Sequence, residues 1–137
     1  PLWWVWGADI DGVGGGAADL TEAAVRVRTR YRQKLVDTYN KLLTDVDGVE
    51  VVDNSNSDNW LYTILVDNRN SFFDHMNKHE VEVSMAHARI DDVAVFNRHK
   101  NKCPNMDALE SRYVCLPLNP KITVKDVEQI CKIIKSI

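Results

Sequence analysis

The sequence is short of the features that mark most specialised protein classes. Its three cysteines, Cys103, Cys115 and Cys131, are odd in number and show no Cys-x-x-Cys spacing. They read as reduced thiols of a cytoplasmic protein, not as a disulfide frame. Basic charge is not in excess: 17 basic against 20 acidic residues leave a net charge of −3 over 137 residues. No global field therefore recruits nucleic acid or an anionic membrane. No apolar run approaches the ~18 residues of a membrane span. The apolar start Leu2-Trp3-Trp4-Val5-Trp6 is too short for a secretion signal and has no basic residue before it. The glycine run Gly12-Val13-Gly14-Gly15-Gly16 lacks the Gly-Lys-Ser/Thr of a phosphate loop and follows no clear strand, so it reads as a flexible junction. No serine sits in a nucleophile-elbow glycine pattern, which argues against a hydrolase.

What is present suits one compact domain. A hydrophobic fraction of 45% is enough for a core. Pro1 stands where an initiator methionine is usual, so a processed, tagged-and-cleaved or excerpted chain is expected. The tryptophans at 3, 4 and 6 are expected to cover an apolar face, in this chain or on a neighbour.

Residues 19–46 predict a long amphipathic helix, capped by Asp19 with Glu22 three residues on, and striped by Tyr31, Leu35, Leu42 and Val46. Its Arg26, Arg28, Arg30 and Arg32 read as a solvated face. Asp47-Gly48 is expected to end the helix with a left-handed glycine. Strands are expected over 49–52, 60–66, 81–86 and 113–118. The second of these is apolar at nearly every position, hence central. A short helix capped by Asn70 or Ser71 buries Phe72, Phe73 and Met76. Residues 105–112 form a helical turn. Thr123 and Asp126 open a last helix in a capping box, with Val127, Ile130, Cys131, Ile134 and Ile137 on one stripe. This order predicts an α+β fold, a small mainly antiparallel sheet packed against helices.

The end of the chain carries a resemblance. Asn105-x-x-x-Leu109-x-x-Arg112, then Leu116-Pro117-Leu118-x-Pro120 and a capped Val/Ile-rich helix, resembles the DegT/StrS family of pyridoxal-phosphate-dependent nucleotide-sugar aminotransferases, 3-amino-5-hydroxybenzoate-synthase-like members included. From about Ala24 to Ile137 the chain is similar to that family's C-terminal small domain, of the fold-type I kind. Arg30-Tyr31, Gly48-Val49-Glu50 and His87-Ala88-Arg89-Ile90-Asp91 carry the likeness, whereas residues 1 to about 18 depart from it. The expected layout is a junction over 1–18 and one domain over 19–137.

The resemblance implies an enzyme that moves an amino group from an amino-acid donor onto a nucleotide-linked keto-sugar or related ring ketone. It also implies a dimer and a separate large domain holding pyridoxal phosphate. No lysine here stands in the family's Ser-Phe-His-x-x-Lys context; Ser71-Phe72-Phe73-Asp74-His75-Met76-Asn77-Lys78 only partly mimics it. No catalytic, cofactor or metal residue is therefore expected in this chain, which alone should be inactive. The expected substrate-binding residues are His87 and Arg89, in the loop that borders substrate in the family. Arg89 offers a planar fork for a carboxylate or phosphate, or pairs internally with Asp91 or Asp92. His75 with His79, and His99 with Cys103, have a spacing that can hold zinc, with no further motif behind it. Two other readings stay open: a stand-alone binding or interaction module, and a small enzyme using His87 and Arg89. Self-association or a missing large domain is the expected partnership, with no nucleic acid and no membrane.

Overall fold

A computed structural model describes residues 22–86, 89–96, 98 and 102–137. Among the described residues four α-helices and three strands follow in order: α1 (Glu22–Leu43), β1 (Val49–Val51), β2 (Tyr62–Val66), α2 (Arg69–Lys78), α3 (Pro104–Leu109), β3 (Tyr113–Leu116) and α4 (Val124–Ile134), with a 3-10 turn at Ile90–Asp92 between α2 and α3. The sheet has the order β1-β2-β3 and both pairings are antiparallel. The expected α+β class is the observed one. Among the described residues no helix is long and apolar enough to cross a membrane.

Strand alternation divides the sheet into two unlike faces. Tyr62, Ile64 and Val66 of β2 and Val114 and Leu116 of β3 are all buried on one side. There they meet Leu35, Val36, Tyr39 and Leu43 of α1 and Val127, Ile130, Cys131 and Ile134 of α4, in one apolar cluster. Three tyrosines bring their hydroxyls into this layer without leaving them unpaired. Tyr31 donates to Ile122 O at 2.6 Å, Tyr39 to Pro117 O at 2.9 Å and Tyr62 to Asn40 Oδ1 at 2.8 Å. The Tyr39 and Tyr62 rings stack with centroids 4.6 Å apart. Burial holds both phenols well above their ordinary range.

The expected capping box of α4 is present: Thr123 Oγ1 accepts from Asp126 N, and Asp126 accepts from Thr123 N at 2.8 Å. Other boundaries differ from expectation, each for a local reason. Strand β2 starts at Tyr62, not Trp60, because Asn59 has φ +51° and bends the chain just before it. Trp60 is consequently 64% exposed. The second helix is capped by Asn68, whose side chain accepts from Ser71 N, so Asn70 and Ser71 lie inside it. Helix α1 ends at Leu43, and Gly48 (φ +74°) serves the turn into β1 instead of capping the helix. Ile137 falls beyond α4 and is 62% exposed. The expected cap Asp19 and the glycine run 12–16 lie outside the described residues.

The expected strand over 81–86 does not form. Its burial alternates over the first three residues, with Val81 and Val83 buried and Glu82 exposed, but Met85 on the same parity is 41% exposed. The ladder, however, is a single bridge: Cys115 N–H donates to Ser84 O at 2.8 Å and Ser84 N–H donates back at 3.3 Å. The next hydrogen-bonded pair in that register would be Glu82 with Pro117. Proline has no N–H to donate, so the ladder does not continue on that side.

Candidate functional site

The second face of the sheet carries Glu50, Leu65 and Tyr113 in one row and Thr63, Cys115 and Ser84 in the next. No described helix of the core lies on this side. It floors an open groove of about 1110 Å³, within reach of the size range of small-molecule sites. It is lined by Ala86, Arg89, Ile90 and Asp91, by Cys103 with Met106 and Leu109 of α3, and by Val52 and Asp53 beyond β1. The short α3 owes its start to Pro104 at the first helical position, where a missing N–H costs nothing.

Arg89 is the best-connected side chain of the site, and it is buried, with 9% of its surface exposed. Its Nε donates to Asp91 Oδ1 at 2.5 Å and its Nη2 to Asp91 Oδ2 at 2.9 Å, a bidentate pair. Its Nη1 donates to Asp107 Oδ1 on α3 and lies 3.8 Å from Glu110 Oε2. The hydrogen bonds from Asp91 and then Asp107 hold the guanidinium further above its already high range. Of the two internal partners named from sequence, Asp91 and Asp92, Asp91 is found paired with Arg89. Asp107 and Glu110 were not legible, because they lie 18 and 21 residues further on and only the fold brings them to Arg89. The other candidate contact, His87, lies outside the described residues.

The rim of the groove is acidic. Glu50, Asp53 and Asp91 line it against the single guanidinium of Arg89. Asp53 accepts from Ser55 N at 3.0 Å, which holds its carboxyl below the usual range. Beneath the groove, Arg69 donates to Glu110 O and stands 5.9 Å from the centroid of the Tyr113 ring. Arg112 bridges Glu50 at 3.4 Å and Asp67 at 3.6 Å.

The histidine pair of α2 is turned to backbone. His75 Nε2 lies 2.9 Å from Ile133 O, and His79 Nδ1 lies 2.9 Å from His75 O. His99, the proposed partner of Cys103, lies outside the described residues. Among the described residues no group of three or more His, Cys, Asp or Glu is placed to hold a metal ion.

Solved aminotransferases share this α+β fold. The chain belongs to the DegT/DnrJ/EryC1/StrS aminotransferase family, whose model matches residues 17–135. Among solved structures it is similar to AtS13 from Actinomadura melliaura, at 24% identity and a TM-score of 0.79, covering 84% of this chain and 32% of that one. The sugar aminotransferase CalS13 from Micromonospora echinospora gives 23% identity and a TM-score of 0.74, covering 79% and 30%. The aminotransferase TlmJ from Streptoalloteichus hindustanus gives 20% and 0.73, covering 79% and 31%. The chain thus spans about a third of the length of these proteins. Among curated proteins the search finds no match.

Pyridoxal phosphate needs a lysine amine for its imine, an acid at the ring nitrogen and donors for its phosphate. The groove lining supplies no lysine, and its one guanidinium is committed to carboxylates. The described residues of the groove do not fit this cofactor.

Proposed function

We propose that this chain is the small-domain share of a sugar aminotransferase, with residues 19–137 as one domain and 1–18 as a junction. In this reading the groove shapes one side of the substrate site, and the segment carrying His87 and Arg89 borders the substrate. The observation that supports it most is the two-faced sheet. One face is sealed by α1 and α4, and the other is an open groove walled by the same segment that the family likeness singled out.

The substrate is a nucleotide-linked keto-sugar or a related ring ketone. The sugar end is placed at this groove, because its lining carries no lysine and its one guanidinium is committed to Asp91 and Asp107. The amine-forming chemistry, the cofactor and its lysine are supplied outside these residues, and this chain alone transfers no amino group. The assembled enzyme is a cytoplasmic dimer. Within it this chain does three things: it shields the substrate from water, orients the sugar, and contributes to the subunit contact.

A titration of the isotope-labelled chain with a nucleotide-linked sugar at millimolar concentration tests this reading. Amide shifts are expected to gather on 84–92 and 103–109. Shifts gathered instead on the arginine-rich stretch of α1, or none above those caused by the free nucleotide, would remove the groove from the substrate site.

A further inference from the structure

We propose that Thr63 is a specificity-determining residue of the groove, the side chain that takes a hydroxyl of the sugar ring. The proposal rests on the reading of the groove as the sugar end of the substrate site, and it adds the contact which that reading leaves unnamed. Among the residues that line the groove, two carry a hydroxyl, Thr63 and Tyr113. The ring of Tyr113 is taken up by the Arg69 guanidinium, 5.9 Å from its centroid. Thr63 is half-buried on β2, the middle strand, which the β1 and β3 ladders hold from both sides. Its branched Cβ restricts the first side-chain torsion. The hydroxyl is therefore in place before a ligand arrives.

What that hydroxyl lacks is a good partner. Thr63 Oγ1 meets the Cys115 sulfur at 3.6 Å, and sulfur bonds weakly. The row runs on to Ser84, whose Oγ is buried and without a hydrogen-bond partner. Two hydroxyls of one row are thus short of partners, which folded proteins tolerate at few places. Either atom of the Thr63–Cys115 contact can be the donor. If Thr63 donates, its oxygen keeps lone pairs for an incoming donor. If the thiol donates, the hydroxyl hydrogen is left for an incoming acceptor. A ligand hydroxyl answers both arrangements, because it donates and accepts. An ammonium only donates and a carboxylate only accepts. Val52 and Leu65 line the groove with Thr63, and apolar surroundings strengthen a hydrogen bond made there.

The titration of the isotope-labelled chain is run with UDP-glucose, and separately with UDP, on the unchanged protein, Thr63→Val, Thr63→Ala and Thr63→Ser. Thr63→Val and Thr63→Ala are each expected to weaken UDP-glucose binding by about fivefold, while Thr63→Ser stays within about twofold. UDP binds all four proteins alike. Amide spectra of α1 and α4 report that each variant is folded. Equal binding of UDP-glucose in the groove by the unchanged chain, Thr63→Val and Thr63→Ala would overturn the role of Thr63 and leave the groove reading standing. A loss in Thr63→Ser as large as in Thr63→Val would also overturn it, since the hydroxyl would then not be the group that is read. No groove shift from UDP-glucose beyond that from UDP, in the unchanged chain, would remove the groove reading and this inference together.

Discussion

Leu35→Ala is expected to lower the unfolding free energy by about 2–5 kcal/mol, read from the midpoint of a urea melt at unchanged slope. Leu35 is fully buried on α1, and it sits in the layer where α1 and α4 meet the inner face of the sheet. Its removal leaves a cavity between two helices and a sheet already pinned by tyrosine hydrogen bonds, so the site collapses poorly. Small domains are stable by only about 5–15 kcal/mol, so this single change is a substantial fraction of the total. The matched control is Trp60→Ala. Trp60 is larger, but it is 64% exposed ahead of β2, and its replacement is expected to cost within about 0.5 kcal/mol. A larger loss from Trp60 than from Leu35 would contradict the placement of the core between α1, α4 and the sheet.

The second large effect is in thiol chemistry. Cys131 is buried in the α4 stripe, and chiefly that burial, against Lys135 and with Glu128, pushes its thiol up to about 12. Near pH 8 such a group is roughly one part in ten thousand thiolate. Cys115 is also buried, under the Ser84 bridge, whereas Cys103 is exposed at the mouth of the groove. A native-state titration with a chromogenic disulfide is expected to modify Cys103 first, with Cys131 slower by about a thousandfold or more. The sign follows from the thiolate being the nucleophile: the rate at Cys131 rises with pH throughout the alkaline range towards about 12. Rapid modification of all three thiols without denaturant would contradict the burial of α4 against the sheet.

Much of the fold was legible because it rests on short-range signals. The α4 capping box was readable from Thr123 and Asp126 alone, and the α1 stripe from the spacing of Leu35 and its neighbours. The central position of β2 followed from its unbroken apolar run. The failures have physical causes of the opposite kind. Val81 to Ala86 has the alternation of a strand, yet its partner strand offers Pro117 at the next bonding position, and no pattern within 81–86 reveals that. Trp60 has strong strand character, and the left-handed Asn59 before it overrides that character.

The site was legible in one half only. Arg89 and Asp91 stand two apart, so their pairing could be weighed from sequence. The groove itself joins Glu50, Thr63, Met106 and Tyr113 from four separate elements, and only the register of the sheet and the placement of α3 bring them to one surface. Loss of the strand over 81–86 also matters to the site. The segment leaving Ser84 is free of the ladder and becomes a wall, where a fourth strand would have extended the floor.

The central claim is that these residues form the substrate-side share of a family aminotransferase whose amine chemistry is supplied elsewhere. It is tested most directly by incubating the purified chain with pyridoxal phosphate, reducing with borohydride and mapping the modified lysines. The account predicts scattered, sub-stoichiometric labelling of surface lysines with no single preferred site. One lysine trapped at full stoichiometry would contradict it, and would make this chain a catalytic unit in its own right.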